Sequence, residues 1–344
     1  MNKKHLGLAV AVAVTLGALG YVIYRFRDSG FSWVEFGRAL TGVDWWWLTL
    51  AFLTALITYV GRAVRWEVLL RPLVPKPNFW KLNSATFIGF AAVVLFGRAG
   101  EPVRPYLIAR NEGVSFTSQV AAWVVERILD MLMVLIVFGL ALTQVSSGVI
   151  RPGPRTKLVM DAGGYTAGGI GVACLVLLIG LARFRGGVRA RLMDALGFLP
   201  EATRTRIGKV LESFEQGMEA MRNGWHVVLL VVYTVAEWLL IALSFLFLFW
   251  AFPETHALGI AETVMMMGLI AFGSLLQIPG VGGGMQVVTV LGLTELFGVS
   301  LEAATGISLM LWLVTFVSIL PLGLFLAFHE GIKWRTLRHL EVES

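Results

Sequence analysis

The stretch Gly97-Arg98-Ala99-Gly100-Glu101-Pro102-Val103-Arg104-Pro105 interrupts a long apolar region with two glycines, two prolines, two arginines and a glutamate. Proline lacks the backbone N–H and glycine carries a high backbone entropy, so no regular helix runs through it. Just before it lies Leu82 to Gly97, 16 residues with almost no charge, containing Asn83, Ser84 and Gly89. That is short of the ~20 residues a bilayer crossing needs. Broken backbone at membrane depth is tolerated only where protein or water covers it. The segment therefore reads as a re-entrant element, and the rest of the chain must supply the cover.

The composition agrees with a membrane setting. Of 344 residues, 57% are hydrophobic and only 15% charged, and the mean hydropathy is +0.77. An ordinary soluble domain carries about a quarter charged residues. The apolar residues come in continuous blocks, which excludes the ten-residue alternation of a transmembrane barrel. The net charge of +6 reflects basic loops and anionic lipid rather than nucleic acid. Cys174 is the single cysteine and the five histidines are scattered. No disulfide and no metal site follows from them.

Uncharged or nearly uncharged runs occur at Leu6 to Tyr24, Trp45 to about Gly61, Leu82 to Gly97, Thr117 to Thr143, Ala162 to Ala182, Trp225 to Phe252, Thr263 to Thr294 and Ala303 to Phe328. Leu6 to Tyr24 is either a retained helix, the preferred reading, or a cleaved signal peptide. In Arg25 to Asp44, the spacing of Phe31, Trp33, Phe36 and Leu40 fits a short interfacial helix. The basic cluster Arg62, Arg65, Arg71, Lys76 and Lys81 reads as cytoplasmic, with Arg62 and Arg65 snorkelling from a helix end. Arg183 to Arg222 holds eight Arg/Lys residues and reads the same way. Within it, Ile207, Val210, Leu211, Phe214, Met218 and Met221 share one helical face. This segment is an amphipathic helix on or under the bundle, or a small soluble hairpin.

An even number of crossings must join two cytoplasmic clusters, yet three apolar runs separate them. Leu82 to Gly97 is the one that turns back. Thr263 to Thr294 is too long for one span and is broken at Gln277-Ile278-Pro279-Gly280-Val281-Gly282-Gly283-Gly284-Met285-Gln286. The expected fold is all-α: a polytopic membrane helix bundle with two re-entrant or broken helical elements in inverted-topology halves. Residues 1–44 form an N-terminal helix and interfacial segment, 45–328 the transmembrane domain and 329–344 a cytoplasmic tail. The halves are 45–143 and 225–328, linked by a helix over 162–182 and the amphipathic segment 183–222. Broken segments at matching positions of two halves point to a binding site near the midplane.

Ionisable residues inside spans are costly and face a cavity or one another. Glu126, Arg127 and Asp130 lie about 13 Å into the run from Thr117. Glu126 and Asp130 share a face while Arg127 points about 100° away, so another charge must meet the acids. Arg98 and Arg104 are the nearest candidates in this topology. The acids either only anchor those arginines or do so while leaving guanidinium forks for phosphate oxygens. Glu101-Pro102 resembles a helix start whose free N–H groups favour an anion. Glu237 is either a proton-coupling carboxylate or a hydrogen-bonded structural one. No Walker motif, G-x-S-x-G elbow or Cys/His pair is present, and no enzyme activity is expected.

Gly97-Arg98-Ala99-Gly100-Glu101 followed by Glu126-Arg127-Ile128-Leu129-Asp130 resembles the paired signature of the lysylphosphatidylglycerol synthase transmembrane-region, or flippase-like, family. Ile278-Pro279-Gly280-Val281-Gly282 is similar to its later proline-glycine motif, although Met285 and Gln286 stand where many relatives carry an Arg-Glu pair. The resemblance covers Trp45 to Phe328. It implies an integral membrane domain related to the one that moves aminoacylated phosphatidylglycerol between leaflets in the multiple peptide resistance factor proteins. The cytosolic transferase domain of those proteins has no counterpart after Phe328, so synthase activity is not expected.

The resulting expectation is a lipid transporter of the bacterial inner membrane with both termini cytoplasmic and no cofactor. Its substrate would be an anionic or phosphate-bearing lipid. The head group would meet Arg98, Glu101, Arg104, Glu126, Arg127, Asp130, Gln277, Pro279, Gly280 and Gln286, with Glu237 as the coupling residue. Membrane lipids are the expected partners, with a second copy or a lipid-synthesising protein beside them. The alternatives are a membrane-embedded lipid-modifying enzyme, with Glu126 or Asp130 as general base, or an accessory subunit of one. A channel for a small ion ranks last, because the spans carry too few polar residues.

Overall fold

The computed structural model describes residues 31–146, 200–273, 277–278 and 282–331, with scattered helical positions between 164 and 196. The expected first span, the basic stretch 183–191 and the tail from 332 lie outside the described residues. Within them the protein is an all-α bundle. Its elements are α1 (Trp33–Thr41), α2 (Trp45–Leu70), α3 (Phe79–Phe96), α4 (Val103–Glu112), α5 (Phe116–Ser146), α6 (Glu201–Gly217), α7 (Gly224–Trp250), α8 (Ile260–Gly273), α9 (Gly284–Phe297), α10 (Leu301–Trp312) and α11 (Ile319–His329). A two-residue antiparallel pairing, Gln277 with Gly283 and Ile278 with Gly282, joins α8 to α9.

Local sequence starts and stops these helices. Asp44, Asn78, Asn223 and Ser300 each accept a backbone N–H at the start of α2, α3, α7 and α10, satisfying donors that have no partner inside the helix. A π-helical turn at Leu313–Val317 separates α10 from α11. Pro321 lies four residues past Val317. It cannot donate to the Val317 carbonyl and its ring crowds that group, which accounts for the local widening.

The first broken element is a hairpin. Gly97, with φ of 63°, ends α3 and a short 3-10 turn over Gly97–Gly100 leads to α4. The two arms then run antiparallel. Lys81 Nζ donates to the Asn111 carbonyl at 3.3 Å and Asn78 N–H donates to Glu112 at 3.3 Å, so the far end of α4 returns to the start of α3. α3 with its turn, Phe79–Gly100, is by length and apolar content long enough to cross a membrane, as are Trp45–Leu70, Gly224–Trp250 and Leu301–His329. The hairpin returns the chain to the end at which α3 begins, and α3 with its turn is longer than the 16 residues of the apolar run on which the expectation of a segment too short to cross was based.

The packing of the two halves mirrors itself. α2 and α7, which open the halves, pack on each other. The hairpin arm α3 packs on α11, the closing helix of the second half, and the arm α8 packs on α5, the closing helix of the first. Each broken element is thus covered by the other half. One core lies around α5, α7, α8 and α10, with Phe138, Phe249 and Phe252 buried, and a second lies around α2, α3, α4 and the start of α5, with Trp66, Leu82 and Ile108 buried. Phe52, Leu53, Ile57, Val232 and Leu239 are exposed on the outside, an apolar surface suited to lipid.

The two amphipathic segments settle differently. In α1, Phe36 and Leu40 meet Gly306 of α10, while Trp33 and Val34 stay exposed. In α6, Phe214 and the following Met218 and Met221 pack beneath α5 beside Ala121, Ala122 and Val125, whereas Val210 is exposed.

Candidate functional site

Three helices that contact one another carry the buried charges. On α2, Ala55, Thr58, Tyr59 and Arg62 recur at helical spacing along one wall of a cavity of about 370 Å³, and Arg65 sits one turn further. On α5 the corresponding stripe is Trp123, Arg127, Asp130, Met131 and Val134. On α7 it is Trp238, Ile241, Ser244 and Phe245, with Thr234 and Glu237 turned toward α2. Gly89 and Phe90 of α3, Glu101 and Arg104 of the hairpin, Met267 and Ile270 of α8, Met285 of α9 and Thr315 and Phe316 of the π turn complete the wall. Both halves and both broken elements contribute.

Arg65 is the centre of the cluster. It is fully buried, and its Nη1 lies 2.7 Å from Asp130 Oδ1 while its Nη2 lies 2.6 Å from Glu126 Oε1. Nη1 also donates to Thr234 Oγ1 at 3.2 Å. Arg104 is equally committed. Its Nη1 meets the two oxygens of Glu126 at 3.0 and 2.9 Å, its Nη2 donates to the Arg62 carbonyl at 2.8 Å and its Nε donates to Thr86 at 3.2 Å. The Arg104 guanidinium also stacks over Trp66, 4.2 Å from the ring centre. This placement depends on Gly89, because a Cβ there would stand 2.5 Å from the Cβ of Arg104.

Arg62 is less occupied. Its Nη2 lies 2.7 Å from Glu237 Oε1 and its Nη1 3.5 Å from Asp130 Oδ2. Arg62, Arg65 and Arg104 thus balance Glu126, Asp130 and Glu237 charge for charge. Arg127, 3.6 Å from Asp130 with its side chain 38% exposed, adds a positive charge, and Glu101 places a negative one on the same wall. Two buried donors on wall residues, Arg127 Nε and Trp238 Nε1, have no hydrogen-bond partner among the described residues. A buried donor left unpaired is costly. An acceptor entering the cavity would remove that cost.

The structure therefore brings Glu101, Arg104, Arg127 and Asp130 to one cavity, with Glu126 behind its wall, paired to Arg65 and Arg104. Arg98 is exposed on the 3-10 turn and does not line the cavity, and the acids are met by Arg62, Arg65 and Arg104. Gln286 acts locally, its side-chain oxygen accepting the Gly283 N–H at 2.7 Å at the start of α9. Gln277 pairs with Gly283 in the short ladder, while Pro279 and Gly280 lie outside the described residues. Snorkelling fails for Arg62 and Arg65. Arg65 is wholly enclosed and Arg62 nearly so, because three carboxylates from two other helices offer more than the interface would. The missed sign in the sequence was their spacing, which puts them on the stripe of Thr58 and Tyr59 and aims them inward. Among the described residues, no group of three or more His, Cys, Asp or Glu could hold a metal.

Known proteins share parts of this chain. A UPF0104 membrane protein of Methanothermobacter thermautotrophicus is 29% identical over 132 residues, which cover 38% of this chain and 35% of that protein. The glycosyltransferase AglD of Haloferax volcanii is 24% identical over 181 residues, 48% of this chain and 29% of its own length. The matched part is thus about a third of each relative. No solved structure matches. The charged hairpin, the acidic α5 and the second broken element all fall within residues 6–323, which match the model of the lysylphosphatidylglycerol synthase TM region, and the chain belongs to that family of membrane proteins.

Proposed function

We propose that the protein is a lipid transporter and not an enzyme, moving an anionic or phosphate-bearing lipid, aminoacylated lipids included, between the leaflets of a bacterial inner membrane with both termini cytoplasmic. The observation that carries this is the cavity itself. Its wall joins a buried guanidinium and carboxylate cluster to apolar side chains, inside a bundle whose outer surface is apolar. A hydrophilic solute would have no use for the second wall, and a simple hydrocarbon none for the first. The head group is held by Arg62, Arg127 Nε and Trp238 Nε1, while Arg65 and Arg104, whose terminal nitrogens are already bonded, keep the acids in place. The acyl chains remain in the bilayer. No nucleotide motif is present, so a gradient or a partner drives net movement.

The test is translocation of fluorescently labelled phosphatidylglycerol in proteoliposomes. Trp238→Phe removes a donor to a charged group and leaves the ion pairs in place, whereas Arg62→Ala also takes the nearest cation from Glu237, so its unfolding in detergent is followed beside transport. With such bonds worth about 1.5–3 kcal/mol, each variant should slow transport by about 10- to 100-fold. Wild-type rates in both would take the head group out of this cavity.

A second reading is an accessory role in lipid modification. It is favoured by the similarity to the Haloferax volcanii glycosyltransferase, of which the matched part is a minor share. Altered lipid composition with normal leaflet distribution in a deletion strain would support it over transport.

A further inference from the structure

Of the three acids in the cluster, Glu237 is the one held by charge alone. Glu126 and Asp130 accept aligned hydrogen bonds from Arg65, and Glu126 from Arg104 as well. Glu237 is 2% exposed and lies at ion-pair distance from Arg62, 2.7 Å, and from Arg65, 3.4 Å. Neither of its oxygens is in an aligned hydrogen bond among the described residues. The charged groups around it are Arg62 and Arg65 of α2 and Asp130 and Glu126 of α5. Arg65 is pinned between two better-bonded acids, so Arg62 is the partner on which the charge of Glu237 depends. Arg62 also lines the cavity, as does Trp238, the neighbour of Glu237.

We propose that Glu237 and the lipid phosphate compete for Arg62, and that Glu237 takes up one proton when the head group arrives, so that lipid entry is linked to protonation. This rests on the transport reading. Before entry, Arg62 neutralises Glu237. A phosphodiester anion drawn to Arg62 takes its fork in two-point geometry and leaves Glu237 buried beside Asp130 and Glu126 with only Arg65, 3.4 Å away and already shared by both of those acids. An unpaired buried charge is expensive, and a carboxylate in that position neutralises instead. One proton from water binds a Glu237 oxygen, one negative charge enters with the lipid, and the net charge of the cluster is unchanged. On release the proton leaves and Arg62 returns. No bond other than O–H forms or breaks.

Linkage gives the sign and the size. If binding takes up one proton, lower pH strengthens binding and bound lipid favours protonation of Glu237 by the same factor. Affinity should rise about tenfold for each unit of pH decrease over the range where the empty site keeps Glu237 charged. The arginines hold their charge throughout, and the phosphodiester of phosphatidylglycerol does not titrate near neutrality.

The experiment measures binding of phosphatidylglycerol, presented in neutral detergent micelles, to the purified full chain between pH 8 and 6. A parallel measurement follows its translocation in proteoliposomes. The wild type should bind up to about 100-fold more tightly at pH 6 than at pH 8. The near-isosteric Glu237→Gln should bind at pH 8 about as well as the wild type at pH 6 and lose the dependence. A wild type with flat binding overturns the proposal without requiring any variant to fold, and so does a Glu237→Gln protein that keeps the slope. If lipid is moved while binding ignores pH, transport stands and the proton link falls. If phosphatidylglycerol binds at no pH, both fall.

Discussion

Replacing Arg65 with alanine should destabilise the protein by about 3–5 kcal/mol, the usual cost of stranding buried partners of an ion pair. Arg65 is fully buried and is, among the described residues, the one guanidinium within 3.5 Å of Glu126, Asp130 and Glu237 together. Without it Arg104 still meets Glu126, but Asp130 loses its hydrogen-bonded partner and Glu237 its second charge. Arg65→Lys should recover only part of the loss, because an ammonium cannot fork to two carboxylates at 2.6 and 2.7 Å. Thermal unfolding in detergent checks this. An Arg65→Ala protein as stable as the wild type would mean that the cluster does not hold the helices. A double variant, Arg65→Met with Asp130→Asn, should regain much of the stability, since one charge of each sign is removed while Arg104 keeps Glu126 and Arg62 keeps Glu237.

The second large effect is expected at Gly89. A Cβ at this position would come 2.5 Å from the Cβ of Arg104 and 3.1 Å from its Cα, so even alanine must push α4 away from α3. Gly89→Val should displace Arg104 from Glu126 and from the Arg62 carbonyl, costing about 1–3 kcal/mol as overpacking does. The effect on transport should be larger than on stability, because one hairpin arm carries both Glu101 and Arg104 to the cavity wall. Comparing unfolding with lipid translocation for Gly89→Ala and Gly89→Val tests this. If the valine variant transported normally, the close approach of the hairpin arms would have no bearing on the site.

Part of this arrangement was legible beforehand. Continuous apolar blocks define membrane helices, because every backbone group in hydrocarbon must be satisfied internally. The Gly97 to Pro105 run identifies the hairpin for the same reason, since neither arm can continue through it. The 31-residue α5, with Glu126, Arg127 and Asp130 at its middle, declares buried charge through the cost of placing it there. What could not be seen was which cation met which acid. Arg104 was within reach by topology and is where it was expected. Arg98, the residue directly after the glycine that ends α3, falls on the exposed side of the 3-10 turn, a matter of a fraction of a helical turn. Gln286, which the motif singled out, is spent on closing the start of α9.

The amino-acid sequence by itself determined that the chain is a bundle of apolar helices with two breaks and a set of acids too deep to be left alone, because hydrophobic runs, prolines, glycines and mid-span carboxylates act through local rules of backbone satisfaction and desolvation. Only the tertiary structure decided that Arg65, Asp130 and Glu237 share one centre and that each hairpin is covered by the opposite half. Those pairings join residues 65 or more positions apart, and their geometry is set by how α2, α5 and α7 pack, which no local pattern encodes.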